Sequence, residues 1–507
     1  MAMTDLDADV VIVGSGVGGG SVALSLAGTG ARILILERGE RLPREPQNWE
    51  AEAVFVDQRY RTTDLWYDGE GNSFRPGQFY YVGGHTKFYG TAMFRFRERD
   101  FDGVSHEEGD SCPWPIRYRD LEPWYAKAEQ LFGVHGQAGD DPTEPPRSTP
   151  YPFGPIPHEP VVAEVFERMR MRGLHPAHMP AAIDLHPGGT CVRCGTCDAF
   201  PCRIGAKGDA ETRLIEPALE HANVRLVTGC RVKRLVADER GLRIVAVECE
   251  RGGETLRIRA RLFVLSAGAI NSAAILKASA SSAAPEGLAN SSGLVGRYFM
   301  NHNCTAIMAV TPWRTNRTRY PKTLSLNDYY FGGPASRHPL GNLQLLGKIQ
   351  EPMLRGVLPG APKWSRRWLA DHSVDWYVMS EDLGQPDSRV QPQADGSIVL
   401  DWKRSNMRAH HRWVETAKQL LRDLGFPIVL SKPFGTDTPS HQCGTVRFGA
   451  DPATSALDPY CRAWDHDNLY IVDASFFPSS AALNPALTVA AQALRVGEHL
   501  KSRLHEF

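Results

Sequence analysis

The sequence predicts a mixed α/β protein in two parts, one carried by parallel strands and one by an antiparallel sheet. Three observations predict it. Residues 9–39 form a complete strand–helix–strand unit, residues 208–276 hold strands that run into a helix, and residues 301–435 carry hairpin patterning. The 507 residues suffice for two large domains. A hydrophobic fraction of 42% with 23% charged residues is ordinary globular usage, which excludes disorder for most of the chain. Lys and Arg number 57 against 58 Asp and Glu, so no basic excess points to nucleic acid. No stretch reaches about 18 apolar residues without a charge, which argues against a membrane span. The opening MAMTDLDADV lacks the basic and apolar segments of a secretory signal. A cytoplasmic location is expected, where the 10 cysteines stay reduced.

In the first unit, Val10–Val13 is short, β-branched and bounded by glycine, the pattern of a buried parallel strand. Gly14-Ser15-Gly16-Val17-Gly18-Gly19 then matches GxGxxG, and a helical pattern follows to about Ala27, stopped by Gly28 and Gly30. Ile33–Leu36 is a second buried strand with Glu37 at its end. Gly14 serves a tight turn, Gly16 lets backbone approach a pyrophosphate, and Gly19 allows close helix–strand packing. The helix N-terminus offers free N–H groups to phosphates, and Glu37 is placed to accept from ribose hydroxyls. Strand, helix, strand and acid in this order predict a Rossmann-like dinucleotide site; the motif does not separate NAD from FAD.

Residues 81–97, YVGGHTKFYGTAMFRFR, read either as backbone laid against a flat ligand or as a surface Ω-loop. Asp141–Pro160 is proline-rich and reads as a loop. Val224–Val227, Arg231–Val236, Ile244–Glu250 and Glu254–Leu265 read as strands, the last two as strands of a meander. Phe263–Leu265 leads through Ser266-Ala267-Gly268-Ala269 into a helix from about Asn271 to Ala278. Asn342–Ile349, Asp375–Glu381, Arg389–Gln393 and Ser397–Trp402 are candidate strands of the antiparallel part, with Asp395-Gly396 as a hairpin turn. Near the C-terminus, Tyr470–Val472 is a short strand ending in Asp473. A helix runs from Pro485 to about Leu500, with Asn484 as N-cap and Pro485 as first helical residue. Its apolar sides predict burial, which leaves its first N–H groups needing a partner.

His441 is the best candidate base for removing a hydroxyl proton near neutral pH, and Asn484 is placed to hold the same hydroxyl or to do nothing beyond capping. Cys191-x-x-Cys194-x-x-Cys197-x₄-Cys202 has a spacing compatible with zinc, with an iron–sulfur cluster, or with a loop of reduced thiols. The last of these, with no metal, is the reading adopted.

Taken in order, these blocks resemble the glucose–methanol–choline (GMC) family of FAD-dependent oxidoreductases. The resemblance spans nearly the whole chain and rests on GSGVGGG with Glu37, GGHTKFYG, SAGAINSAAIL, HQCGTVRFG and DASFFPSSAALNPALTVAAQALR. It implies an FAD-binding domain of residues 1–105, 186–300 and 436–507, and a substrate domain of residues 106–185 and 301–435. It implies His441 as catalytic base with Asn484 as its partner. Cofactor contacts are expected from Gly14, Ser15, Gly16, Val17, Gly18, Gly19, Glu37 and Arg38, and from Gly83, Gly84, Thr86, Tyr89 and Gly90 in the second loop. Val232 matches the backbone position at the adenine, and Asp473 the acid near the pyrophosphate and ribityl chain. Ala267, Gly268, Ala474 and Pro485 complete the set.

Within the family, GGHTKFYGTAMFR is similar to pyranose oxidases and to bacterial oxidases acting at C3 of glycosides. That likeness implies oxidation of a secondary sugar hydroxyl, at C3 or C2, to a keto-sugar. In the reaction this implies, the hydroxyl gives its proton to His441, the carbon that bears it gives a hydride to flavin N5, and O₂ is reduced to hydrogen peroxide. The alternative is a sugar dehydrogenase passing electrons to a quinone or protein acceptor, with an iron–sulfur centre at the cysteine loop. Some pyranose oxidases bind FAD covalently through a histidine of this loop. Phe88 stands at that position, with His85 three residues earlier, so non-covalent FAD is expected.

Overall fold

The computed structural model describes residues 7–333 and 336–507. Residues 1–6, part of the segment read for a secretory signal, lie outside the described residues. Val10–Val13 and Ile33–Leu36 form as expected, and both are buried along their whole length as inner strands of their sheet within the main core. That sheet is parallel throughout, in the order Val224–Val227, Ile33–Leu36, Val10–Val13, Leu262–Leu265 and Leu469–Ile471. The first crossover helix is Val17–Leu26, and Ala269–Ala278 follows the fourth strand.

The stretch read as one strand from Glu254 to Leu265 divides in two. Glu254–Arg259 alternates exposed and buried residues and closes a three-stranded antiparallel meander with Arg231–Ala237 and Ile244–Arg251. Leu262–Leu265 is apolar at every position and enters the parallel sheet, where both faces are covered. The switch from period two to a continuous apolar run marks the change of sheet.

The antiparallel part is a six-stranded sheet in the order Ile428–Pro433, Asn303–Val310, Ser373–Ser380, Asn342–Leu345, Leu324–Leu326 and Pro176–His178. Its side chains alternate between faces. Ile307, Trp376, Val378, Leu343 and Leu345 join Trp413 and Leu421 of the helix Met407–Asp423 in a second core. Ala306 and Tyr377, one residue out of phase, face the central cavity instead.

Two segments expected in the substrate domain pack elsewhere. The hairpin Arg389–Pro392 with Ile398–Asp401 leaves the six-stranded sheet and pairs in parallel with Trp66–Asp68, making a separate four-stranded sheet with Ser73–Phe74. Val390, Ile398 and Leu400 are apolar on the side that meets the main core, which holds the hairpin there. The helix Tyr118–Phe132 lies on the C-terminal helix Ala486–Arg503, and Tyr125 shares a 2.8 Å hydrogen bond with Thr488. Among the described residues, no helix is long and apolar enough to cross a membrane.

Candidate active site

One cavity of about 1140 Å³ lies between the two main sheets and is lined from Val13 to Val489. Its nucleotide end is built by two glycine loops. Gly14 has φ +98, and a Cβ there would lie 2.2 Å from Ser266 O, so both conformation and space require glycine. At Gly16 a Cβ would meet no atom within 4 Å, since this position faces open cavity. Gly84 of the second loop comes so near that its Cβ would sit 3.3 Å from Gly16 Cα. Ser15 ties the loops together: its Oγ donates to Glu37 Oε2 at 2.6 Å and accepts from Gly83 N at 3.1 Å. Glu37 Oε1 accepts from Gly39 N at 2.8 Å, and burial raises the carboxyl's pKa. The segment 81–97 therefore walls the cavity from Tyr81 to Ala92 and is not a free surface loop.

Of the residues expected to contact a cofactor, all but Gly19 line this cavity. At Gly19 a Cβ would lie 2.0 Å from Gly14 O, beneath the turn and away from the opening, which corrects its place among the cofactor contacts and leaves it the close packing also expected of it. Asp473 reaches the cavity, but its carboxylate also braces the wall, accepting from Gly268 N at 3.0 Å and Ser475 N at 2.9 Å. Asn484 does not cap the C-terminal helix, and Pro485 is not its first residue. Pro485 holds the N-cap position with φ −83 and ψ −14, and no side chain caps the helix Ala486–Arg503. The first N–H groups of that helix are left for a ligand in the cavity, which Pro485 and Ala486 line.

Asn484 is instead a link in a directed chain of hydrogen bonds, and both ends fix its direction. Lys322 Nζ is only a donor and lies 3.4 Å from Gln344 Oε1. That places Gln344 Nε2 toward Asn484 Oδ1, at 2.8 Å, and turns Asn484 Nδ2 toward His441 Nε2, at 3.4 Å. At the other end the carbonyl of Ser480 can only accept, and His302 Nε2 lies 2.8 Å from it. His302 therefore carries its proton on Nε2 and accepts through Nδ1, which is 2.9 Å from His441 Nδ1. His441 must donate from Nδ1, so its Nε2 lone pair faces Asn484 and the cavity. The imidazole is walled by protein yet open to the cavity. Burial, with His302, Lys322 and His85 nearby, holds its pKa well below the usual 6.5. At neutral pH it is an unprotonated base.

His302, Gln344 and Lys322 were not singled out from the sequence. They lie 139, 140 and 22 residues from their partners, and the order of residues along the chain carries no signal of such pairings. His85 also lines the cavity, half-buried, and desolvation lowers its pKa to about 4; its Nε2 lies 2.7 Å from Gln78 Oε1. Phe88 stacks on Phe79 at 4.0 Å. The four cysteines line a separate small cavity, and the described residues hold no group of three or more side chains suited to a metal ion.

The GMC oxidoreductase family models match residues 78–304 and 385–493. A 6'''-hydroxyparomomycin C oxidase of Streptomyces lividus is 32% identical over 98% of this chain and 92% of its own length. A paromamine 6'-oxidase of Streptomyces fradiae is 32% identical over 96% of this chain and 90% of its own. Pyridoxine 4-oxidase from Mesorbium loti has a similar fold, with a TM-score of 0.68 at 18% identity, covering 97% of this chain and 99% of that one.

Proposed function

This chain belongs to the GMC oxidoreductase family, whose members bind FAD, and from that premise we propose that it oxidises a hydroxyl group of a sugar. The observation that carries the reading is the pair His441 Nε2 and Asn484 Nδ2 at the cavity wall, an acceptor beside a donor. A hydroxyl is both donor and acceptor, so it fits between them, donating to His441 and accepting from Asn484. The 3.4 Å separation is loose enough for a hydroxyl to exchange into.

The uncapped helix end, the bare backbone at Gly16 and the carboxylate of Glu37 suit a dinucleotide with a pyrophosphate and a ribose. When bound, the flavin supplies the hydride acceptor and returns the electrons to an oxidant. The protein's part is to take the hydroxyl proton on His441 Nε2 as the C–H bond breaks, and to hold the oxygen on Asn484 Nδ2 while charge develops there. His302 accepts the Nδ1–H of His441, so the proton is taken on Nε2 without a change of tautomer.

The names of two relatives point to oxidation of aminoglycosides, one at a 6' position. The segment 83–95 carries the finer proposal, a secondary hydroxyl at C3 or C2 of a pyranose or glycoside, with O₂ reduced to hydrogen peroxide. We also propose non-covalent FAD, because the Nε2–H of His85 is committed to Gln78 and Phe88 has no nucleophile. Denaturation is expected to release the flavin, and colour remaining on the unfolded chain overturns that point.

The test is anaerobic titration of the flavin absorbance against pyranoses, glycosides and aminoglycosides, with peroxide measured per turnover in air. His441→Ala is expected to keep its flavin and to bleach about 10²–10⁴-fold more slowly. Undiminished bleaching removes His441 from the reaction.

A further inference from the structure

Beyond the reacting pair, the same cavity holds an ion pair that neither gives nor takes the reacting proton. Lys322 Nζ is 3.1 Å from Asp198 Oδ2, and both residues line the cavity. Their side chains are only 4% and 15% exposed, so neither is a free surface charge. Asp198 Oδ2 also accepts from Gly347 N at 3.0 Å. Oδ1, by contrast, takes no hydrogen bond from any described residue. With the Asp198 side chain 15% exposed and lining the cavity, a donor that enters the cavity can reach this oxygen.

The chain is shaped around this pair. A Cβ at Gly90 would lie 2.6 Å from Asp198 Oδ1 and 2.7 Å from Lys322 Nζ. A Cβ at Gly347 would lie 2.4 Å from Asp198 Cβ. Neither glycine has a left-handed φ; a Cβ at Gly347 meets the root of the Asp198 side chain, while one at Gly90 meets the far ends of both side chains, which would have to move. Lys322 reaches Asn484 through Gln344 alone, which sets the pair one side chain away from where a hydroxyl reacts.

Resting on the sugar reading of the cavity, we propose that Asp198 and Lys322 form a subsite for the hydroxyls that flank the reacting one. Asp198 Oδ1 accepts from one flanking hydroxyl, and the remaining N–H of Lys322 donates to an oxygen beside it. A vicinal diol supplies both partners at once. An ammonium group does not, because Lys322 already neutralises the carboxylate and repels a second cation. The occupant is therefore a neutral polyol face of the sugar, and any amino group of the substrate lies elsewhere.

The test compares anaerobic flavin reduction of the holoenzyme by a methyl pyranoside, its monodeoxy analogues and the matching aminodeoxy analogues. In the wild type, removing one flanking hydroxyl is expected to lower kcat/KM about 10–100-fold, the worth of a hydrogen bond to a charged group. Asp198→Asn is expected to bring parent and analogue within about threefold of each other, at unchanged flavin content. Gly347→Ala keeps both charges and displaces the carboxylate, and is expected to narrow the ratio in the same direction. Should Asp198→Asn fail to fold, that second variant and the wild-type series decide the matter. A wild type indifferent to every flanking hydroxyl, variants that keep the wild-type ratio, or an aminodeoxy analogue faster than the parent each overturn the subsite. Reduction by simple alcohols but by no pyranoside overturns the sugar reading itself, and the subsite with it.

Discussion

His302 touches neither opening nor cavity, yet it decides which nitrogen of His441 is basic. Its own polarity comes from the Ser480 carbonyl, 2.8 Å from Nε2, and it is 1% exposed. In His302→Phe the Nδ1–H of His441 has no acceptor in a buried place, which costs about 1–3 kcal/mol and favours moving the proton to Nε2. The base then faces the substrate with a hydrogen in place of a lone pair. We expect kcat to fall about 10–100-fold with flavin retained and KM little changed, and His302→Gln, which restores an acceptor oxygen, to recover part of it. A second readout is the acid limb of kcat/KM. The pKa of His441 is depressed, so its neutral form survives as pH falls through 6.5 and activity is lost only at a lower pH. His302 is one cause of that depression, so His302→Phe is expected to move the acid limb upward, toward 6.5. An acid limb that stays in place, with kcat unchanged, assigns His302 to packing.

Glycines of the first crossover separate two jobs that one motif conceals. At Gly18 a Cβ would lie 1.6 Å from Val472 O, just past the strand Leu469–Ile471, whereas at Gly16 it would meet nothing within 4 Å. Gly18→Ala must push the helix Val17–Leu26 off the sheet edge, and overpacking of this kind costs about 1–3 kcal/mol or more. Its apoprotein is expected to melt a few degrees below wild type. Gly16→Ala is expected to melt like the wild-type apoprotein but to purify with much less flavin, because the methyl group occupies space that bare backbone leaves to the ligand. Calorimetry and the flavin-to-protein absorbance ratio separate the two. A Gly16→Ala protein with full flavin content refutes the assignment of that opening to the pyrophosphate. The same helix is held on its far side by Gly497 of the C-terminal helix, whose Cβ would lie 2.5 Å from Ser25 Cβ, so the nucleotide turn and the end of the chain form one packed unit.

At the scale of the molecule, what could be read from the sequence was whatever is local. The buried strands Val10–Val13 and Ile33–Leu36 announce themselves by composition and bounding turns, as does the half-buried edge strand Val224–Val227, and His441 and Asn484 by their blocks. The partners of those two residues could not be read, because His302, Gln344 and Lys322 arrive from strands and loops of the second sheet. Nor could the placement of the Arg389–Pro392 hairpin, whose alternation suits any half-buried sheet. The cavity is therefore a product of tertiary structure, with walls contributed from Val13 to Val489 by both main sheets. A ligand that fills it binds only the folded chain and so stabilises both sheets together. Free flavin at about 100 times its dissociation constant adds about 2.7 kcal/mol. The holoenzyme is expected to melt several degrees above the apoprotein, and flavin fluorescence is expected to rise at the same temperature as the far-ultraviolet signal is lost. Flavin released well before that transition would mean that the walls part without unfolding, so that the two sheets are only loosely joined through the cavity.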